Sequence, residues 1–113
     1  MRANTLTYRM QKICQIHTSV TSMTEARMLA NDLMRTHLAA CVQISGPGIS
    51  IYRWKDKIEQ SDEYYINIKT SAARGDDVVN WLKQHHPYDL PEIIWTECET
   101  TEAYAGWVHA EAL

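Results

Sequence analysis

The chain has 113 residues, 45% hydrophobic and 22% charged, with 11 Lys+Arg against 14 Asp+Glu for a net charge of −3. That composition suits a single globular domain with its own core and excludes disordered, collagen-like and low-complexity chains. The acidic balance argues against a nucleic-acid partner, which calls for a basic face, and no run reaches the ~18–20 apolar residues that cross a bilayer, so no membrane partner is expected.

In chain order, residues 1–11 read as a poorly structured leader, polar and without period, and 12–113 as one domain. The run Lys12–Thr18 is short and β-capable. Ser22 and Glu25 form a capping box, and Ala26, Leu29, Ala30, Leu33, Met34 and Leu38 recur at helical spacing, which predicts a helix from Ser22 to His37. Ala40–Ile44 reads as a strand. Gly46-Pro47-Gly48 marks a bend, bulge or edge position, because proline donates nothing to a ladder. The strand resumes at Ile49, turns at Lys55-Asp56 and returns through Thr70 as a long hairpin. Alternation places Ile49 and Ile51 opposite Ser50, Tyr52 and Trp54, and Tyr64, Ile66 and Ile68 opposite Tyr65, Asn67 and Lys69.

Residues 71–85 return to helical spacing, with Ser71 as the N-cap and Val78, Val79 and Leu82 inward; His86-Pro87 ends the helix. Pro91–Cys98 reads as the last strand. Residues 101–112 form a short terminal helix capped by Thr100 or Thr101, with Tyr104, Trp107 and Val108 as its contacts.

The order β-α-β-β-α-β plus a C-terminal helix is the ferredoxin-like pattern of the α+β class, with two helices over one face of a four-stranded antiparallel sheet. The last strand is apolar on both sides, Ile93 and Trp95 against Ile94 and Cys98, and the hairpin is long for so small a domain. Both features predict that a second copy of the chain covers the open face. Cys14, Cys41 and Cys98 are an odd set with no CxxC spacing, so no disulfide framework is expected and a reducing cytoplasm is the predicted compartment. Cys41, among Ala39, Ala40 and Val42, reads as an inert core thiol.

Two groups of residues carry chemistry. His85 and His86 offer adjacent imidazoles at a helix end, a donor type that suits Cu(II), Zn(II) or Ni(II), although a histidine there is also favoured by the helix dipole. Tyr52, Trp54, Lys57, Glu59, Lys69, Tyr88 and Glu92 form a polar set. Lys69 either pairs with a carboxylate such as Glu59 or Glu92 at an interface or supplies charge to a pocket walled by Tyr52 and Trp54. No Gly-rich phosphate loop, GxSxG elbow or HExxH helix is present, and the carboxylate pairs Asp62-Glu63 and Asp76-Asp77 fit a solvated turn and a helix start, so no catalytic residue and no organic cofactor are expected.

The segments Leu38–Ile44, Ser50–Trp54, Lys57–Glu59, Ile68–Thr70, His86–Tyr88 and Pro91–Ile93, with the terminal Tyr104 and Trp107, closely resemble the CutA family of divalent-cation tolerance proteins. The resemblance covers roughly residues 12 to 110. It implies a cytoplasmic ferredoxin-like homotrimer with PII-like architecture, a link to tolerance of copper or another divalent cation, and no catalytic reaction. In members proposed to bind copper, a cysteine at the end of the first strand joins the two histidines. Thr18 holds that position here, so the metal set implied is His85 and His86 with His17 or Cys14 as third donor. Two readings follow: a trimeric metal-binding or scaffold protein of cation tolerance, or a PII-like trimeric sensor that takes a small ligand between subunits.

Overall fold

A computed structural model describes residues 10–113; most of the predicted leader lies outside that range. Strand β1 (Met10–Val20) is followed by helix α1 (Met23–Arg35), strands β2 (Cys41–Trp54) and β3 (Lys57–Ser71), helix α2 (Gly75–His85), strand β4 (Ile94–Thr101) and helix α3 (Glu102–Glu111). The sheet order is β2-β3-β1-β4, every neighbouring pair antiparallel. The expected α+β ferredoxin-like order is therefore present. Met10 and Gln11, placed in the leader by the sequence, belong to β1, because their backbones pair with Thr101 and Thr100 of β4.

Alternation along β1 and β3 sorts the sheet into two faces. One face carries Cys14, Ile16, Ile66 and Ile68 against Leu29 and Leu33 of α1 and Val78 and Leu82 of α2. Ile16, Leu33, Ile66, Ile68 and Leu82 are wholly buried, each worth about 1.5–3 kcal/mol of transfer free energy. The other face is not wholly open. Helix α3 lies on its end, and Ala105, Val108 and Ala112 pack on Ile13 and Ala40. Trp107, predicted to face inward, is exposed instead, because the buried side of α3 is set by Ala105, Val108 and Ala112.

Element ends differ from the predicted ones for local reasons. Ser22 Oγ accepts from the Glu25 amide at 3.1 Å and caps α1 as expected. The helix stops at Arg35, since Thr36 Oγ1 donates to the Asp32 carbonyl at 2.8 Å and His37 turns to φ 59°. Ser71 makes no cap; a 3-10 turn over Ala72–Arg74 intervenes and α2 begins at Gly75. A Cβ on Gly75 would sit 2.4 Å from the Trp95 ring, so this glycine lets the helix start press against β4. Strand β4 begins at Ile94 rather than Pro91: Ile94 pairs with His17, the first residue of β4 to find a partner on β1. Thr101 Oγ1 accepts from the Tyr104 amide and caps α3.

The hairpin is one pair of continuous strands with a bulge. Ser45 pairs with Tyr65, but the next pair is Gly48 with Glu63, so β2 spends one residue more than β3. Gly46 has φ 121°, and a Cβ there would lie 2.8 Å from the Glu63 carbonyl oxygen, so only glycine fits. Pro47 is accommodated because β2 is an edge strand. The extra residue flips parity. Before it Cys41, Gln43 and Ser45 share the face of Lys69, Asn67 and Tyr65; after it Ser50, Tyr52 and Trp54 take that face, opposite Ser61, Glu59 and Lys57. Lys55 and Asp56 close the hairpin with φ 51° and 66°, the two-residue turn whose twist matches its strands.

Candidate functional site

The four expected metal donors do not converge. Cys14 is wholly buried in the core under the helices. Burial foremost, then the neighbouring Cys98, Glu97 and Asp76, pushes its thiol up to about 12, so no thiolate is on offer at neutral pH. His17 lies on the opposite face of β1, stacked on Tyr65 with ring centroids 6.4 Å apart. His85 Nδ1 bonds the Trp81 carbonyl at 2.8 Å and its ring stacks on Trp81 at 4.3 Å, which leaves Nε2 exposed. Both nitrogens of His86 are engaged: Nε2 donates to the Ser19 carbonyl at 3.0 Å, and Nδ1 accepts from the Tyr88 amide at 3.1 Å. That arrangement specifies the neutral Nε2–H tautomer and occupies the lone pair a metal would need. Burial lowers the His86 pKa, against the opposing pull of the Ser19 carbonyl, Glu25 and Glu63. Among the described residues no group of three His, Cys, Asp or Glu side chains could hold a metal ion.

A concave feature of the fold lies where the hairpin leaves the sheet. Strand β1 ends at Val20, opposite Tyr64, so β3 continues from Glu63 to Lys57 with β2 alone. The loop 87–93 wraps beside this gap. Between loop and hairpin is a cleft of about 680 Å³, with Tyr52, Trp54, Tyr88 and Glu92 in its lining. The bulge aims Tyr52 and Trp54 into it. Ser61 Oγ donates to the Tyr52 hydroxyl at 3.0 Å, and the Tyr88 hydroxyl donates to Glu63 Oε2 at 3.1 Å. Burial, with the Glu63 charge and hydrogen bond, pushes the Tyr88 hydroxyl up to about 12, so it stays a donor through the physiological range. His86 holds the loop onto β1 through Ser19, which itself lines the cleft. The pair His86-Tyr88 thus fixes the wall of the cleft.

Four residues of the predicted polar set, Tyr52, Trp54, Tyr88 and Glu92, meet at this cleft; Lys57, Glu59 and Lys69 do not line it. Lys69 pairs in register with Cys41 and Gln15, six residues along β3 from Glu63 and so ~20 Å away. It forms no ion pair with Glu59 or Glu92. Its ammonium lies 5.9 Å from the Tyr104 ring centroid, against α3. Cys41, read as core, is half-buried on that same face, because it pairs with Lys69. Glu63, read with Asp62 as a solvated turn, instead lies within β3 and is buried at the cleft; Asp89, also in the lining, was likewise missed. The parity of Glu63 with Tyr65 and Asn67 assigns it to this face, but its burial depends on Tyr88, 25 residues later.

Comparison with known proteins agrees with this architecture. The sequence profile of the CutA1 divalent ion tolerance protein family matches residues 14–111. The chain belongs to that family. It is 37% identical over 86 residues to the divalent-cation tolerance protein CutA of Pectobacterium atrosepticum, covering 75% of this chain and 78% of the relative. The CutA structure from Synechococcus elongatus superposes with a TM-score of 0.86 at 30% identity, covering 93% and 96% of the two chains. The structure from Archaeoglobus fulgidus gives 0.84 at 27% identity over 91% and 100%, and that protein is described as a periplasmic divalent cation tolerance protein. This overturns the cytoplasmic placement read from the cysteines: three unpaired thiols do not fix the compartment of a CutA protein.

Proposed function

We propose that this chain serves tolerance of divalent cations, chiefly copper, without catalysing a reaction, as a homotrimeric scaffold rather than as a carrier with a resident Cys/His centre. What carries the reading is the dispersal of the donors: Cys14 in the core, His17 on the far face, and His86 committed to Ser19 and Tyr88. Copper meets the chain at His85, whose exposed Nε2 makes a weak, exchangeable contact, since one imidazole is far from a closed coordination set. Assembly is supported by the hairpin, which carries Ile51 at 69% exposure and Ile58 at 68% with unpaired strand edges. A two-stranded ribbon of this kind is marginal in water on its own.

The second reading, a PII-like trimeric sensor with a ligand between subunits, is favoured by the cleft at the hairpin root. The two are separated by copper tolerance in cells that lack the endogenous protein. Both readings predict that His17→Ala/His85→Ala still restores tolerance; Tyr52→Ala/Trp54→Ala restores it if the chain is a scaffold and fails to if the cleft binds a ligand. Loss of tolerance in the histidine variant alone contradicts the proposal. The mass of the purified protein in solution tests assembly: three chains are expected, and a monomer contradicts it.

A further inference from the structure

We propose that the cleft takes a small organic cation, an amine or quaternary ammonium, an inference that rests on reading the cleft as a ligand site. Its volume of about 680 Å³ falls within the range of small-molecule sites. The lining holds three carboxylates, Glu63, Asp89 and Glu92, and no lysine, arginine or histidine. Three aromatic rings, Tyr52, Trp54 and Tyr88, stand in the walls, with Ile51, Leu90 and hydroxyl side chains making up the rest. Carboxylates beside π faces attract a cation by charge and by ring quadrupole together, and repel an anion.

Glu63 gives the site its anchor. It is 7% exposed, and its one side-chain hydrogen bond among the described residues is Oε2 accepting from the Tyr88 hydroxyl. It forms no ion pair with any described lysine, arginine or histidine; the ion pairs among the described residues are Lys12–Glu97, Arg35–Asp32 and Arg74–Asp77. A buried carboxylate without a cation is costly to a fold. A bound ammonium supplies the missing charge. Lys57 sits across from Trp54 on the hairpin but lies outside the lining. The walls are set before any ligand arrives, Tyr52 by Ser61 and Tyr88 by Glu63, which reduces the ordering that binding demands. A bare metal ion fits less well: the three carboxylates do not gather into a set that could hold one, and aromatic faces supply no coordinating lone pair.

The test uses three probes of similar size and different charge: tetramethylammonium, tert-butanol and pivalate. Each is titrated into the intact protein while the Trp54 indole N–H is followed by NMR, assigned with Trp54→Phe. Tetramethylammonium should shift it saturably, with tert-butanol and pivalate at least tenfold weaker. Glu63→Gln should weaken the ammonium at least fivefold. Asp89→Asn/Glu92→Gln, both exposed positions, should weaken it severalfold and keeps the test open where Glu63→Gln disturbs folding. Equal binding of all three probes overturns the cation inference and leaves the cleft as a ligand site. No saturable shift with any probe overturns both.

Discussion

His86 Nε2 donates to the carbonyl of Ser19 at 3.0 Å, and this bond ties the loop after α2 to the end of β1. With Nδ1 accepting from Tyr88, the ring is held neutral between a donor and an acceptor. Protonation would put a second N–H against the Tyr88 amide.

Stability should therefore depend on pH through His86. Its folded pKa is lowered, so the unfolded chain binds more protons between that value and the unfolded value of about 6.5. The contribution is fully present above pH ~6.5 and is lost as pH falls toward the folded pKa. Chemical denaturation from pH 8 to pH 5 should show the midpoint dropping below pH ~6.5, less steeply in His86→Gln. An identical profile in the variant would assign the slope to other groups.

Thr18 is wholly buried, and its Oγ1 has no hydrogen-bond partner. Thr18→Val removes the orphaned hydroxyl at nearly constant shape and should stabilise the protein by about 1–2 kcal/mol in urea denaturation. A destabilised variant would mean that the hydroxyl has a partner in solution.

Gly75 meets the Trp95 ring with no room for a methyl group. Gly75→Ala should cost about 1–3 kcal/mol by overpacking, although alanine is the better helix former. Gly75→Ala/Trp95→Leu should recover part of the loss. Should the single variant gain stability, Trp95 yields more readily than the packing implies.

Cys14 is buried with a raised pKa, whereas Cys41 and Cys98 are partly exposed. Iodoacetamide at pH 8 should leave Cys14 unmodified in the native protein, by peptide mass analysis, and label it only on unfolding. Native labelling of Cys14 would contradict its place in the core.

The fold was largely legible because its signals are local. Period-2 alternation fixed the faces of β3, and the Ser22–Glu25 pair marked the start of α1. The site was less so. The bulge could be located at Gly46-Pro47 but its parity flip could not be counted, and that flip decides that Tyr52 and Trp54 face the cleft. Adjacency made His85 and His86 look like a chelating pair. In three dimensions one caps its own helix through Trp81 and the other reaches back 67 residues to Ser19. Lys69 shares a face with the cleft residues, but strand rise carries it to the far end, beneath α3. Contacts of this length are set by tertiary packing, which no short motif encodes.

The central claim is that no resident metal centre is built from Cys14, His17, His85 and His86. It is tested most directly by titrating the metal-free protein with Cu(II), then with Cu(I) under reductant, alongside His85→Ala and Cys14→Ala. The account predicts weak binding, with Kd above about 10 μM (weaker than about −7 kcal/mol), further reduced in His85→Ala and unchanged in Cys14→Ala. One equivalent per chain bound with submicromolar affinity, and lost in either variant, would contradict it.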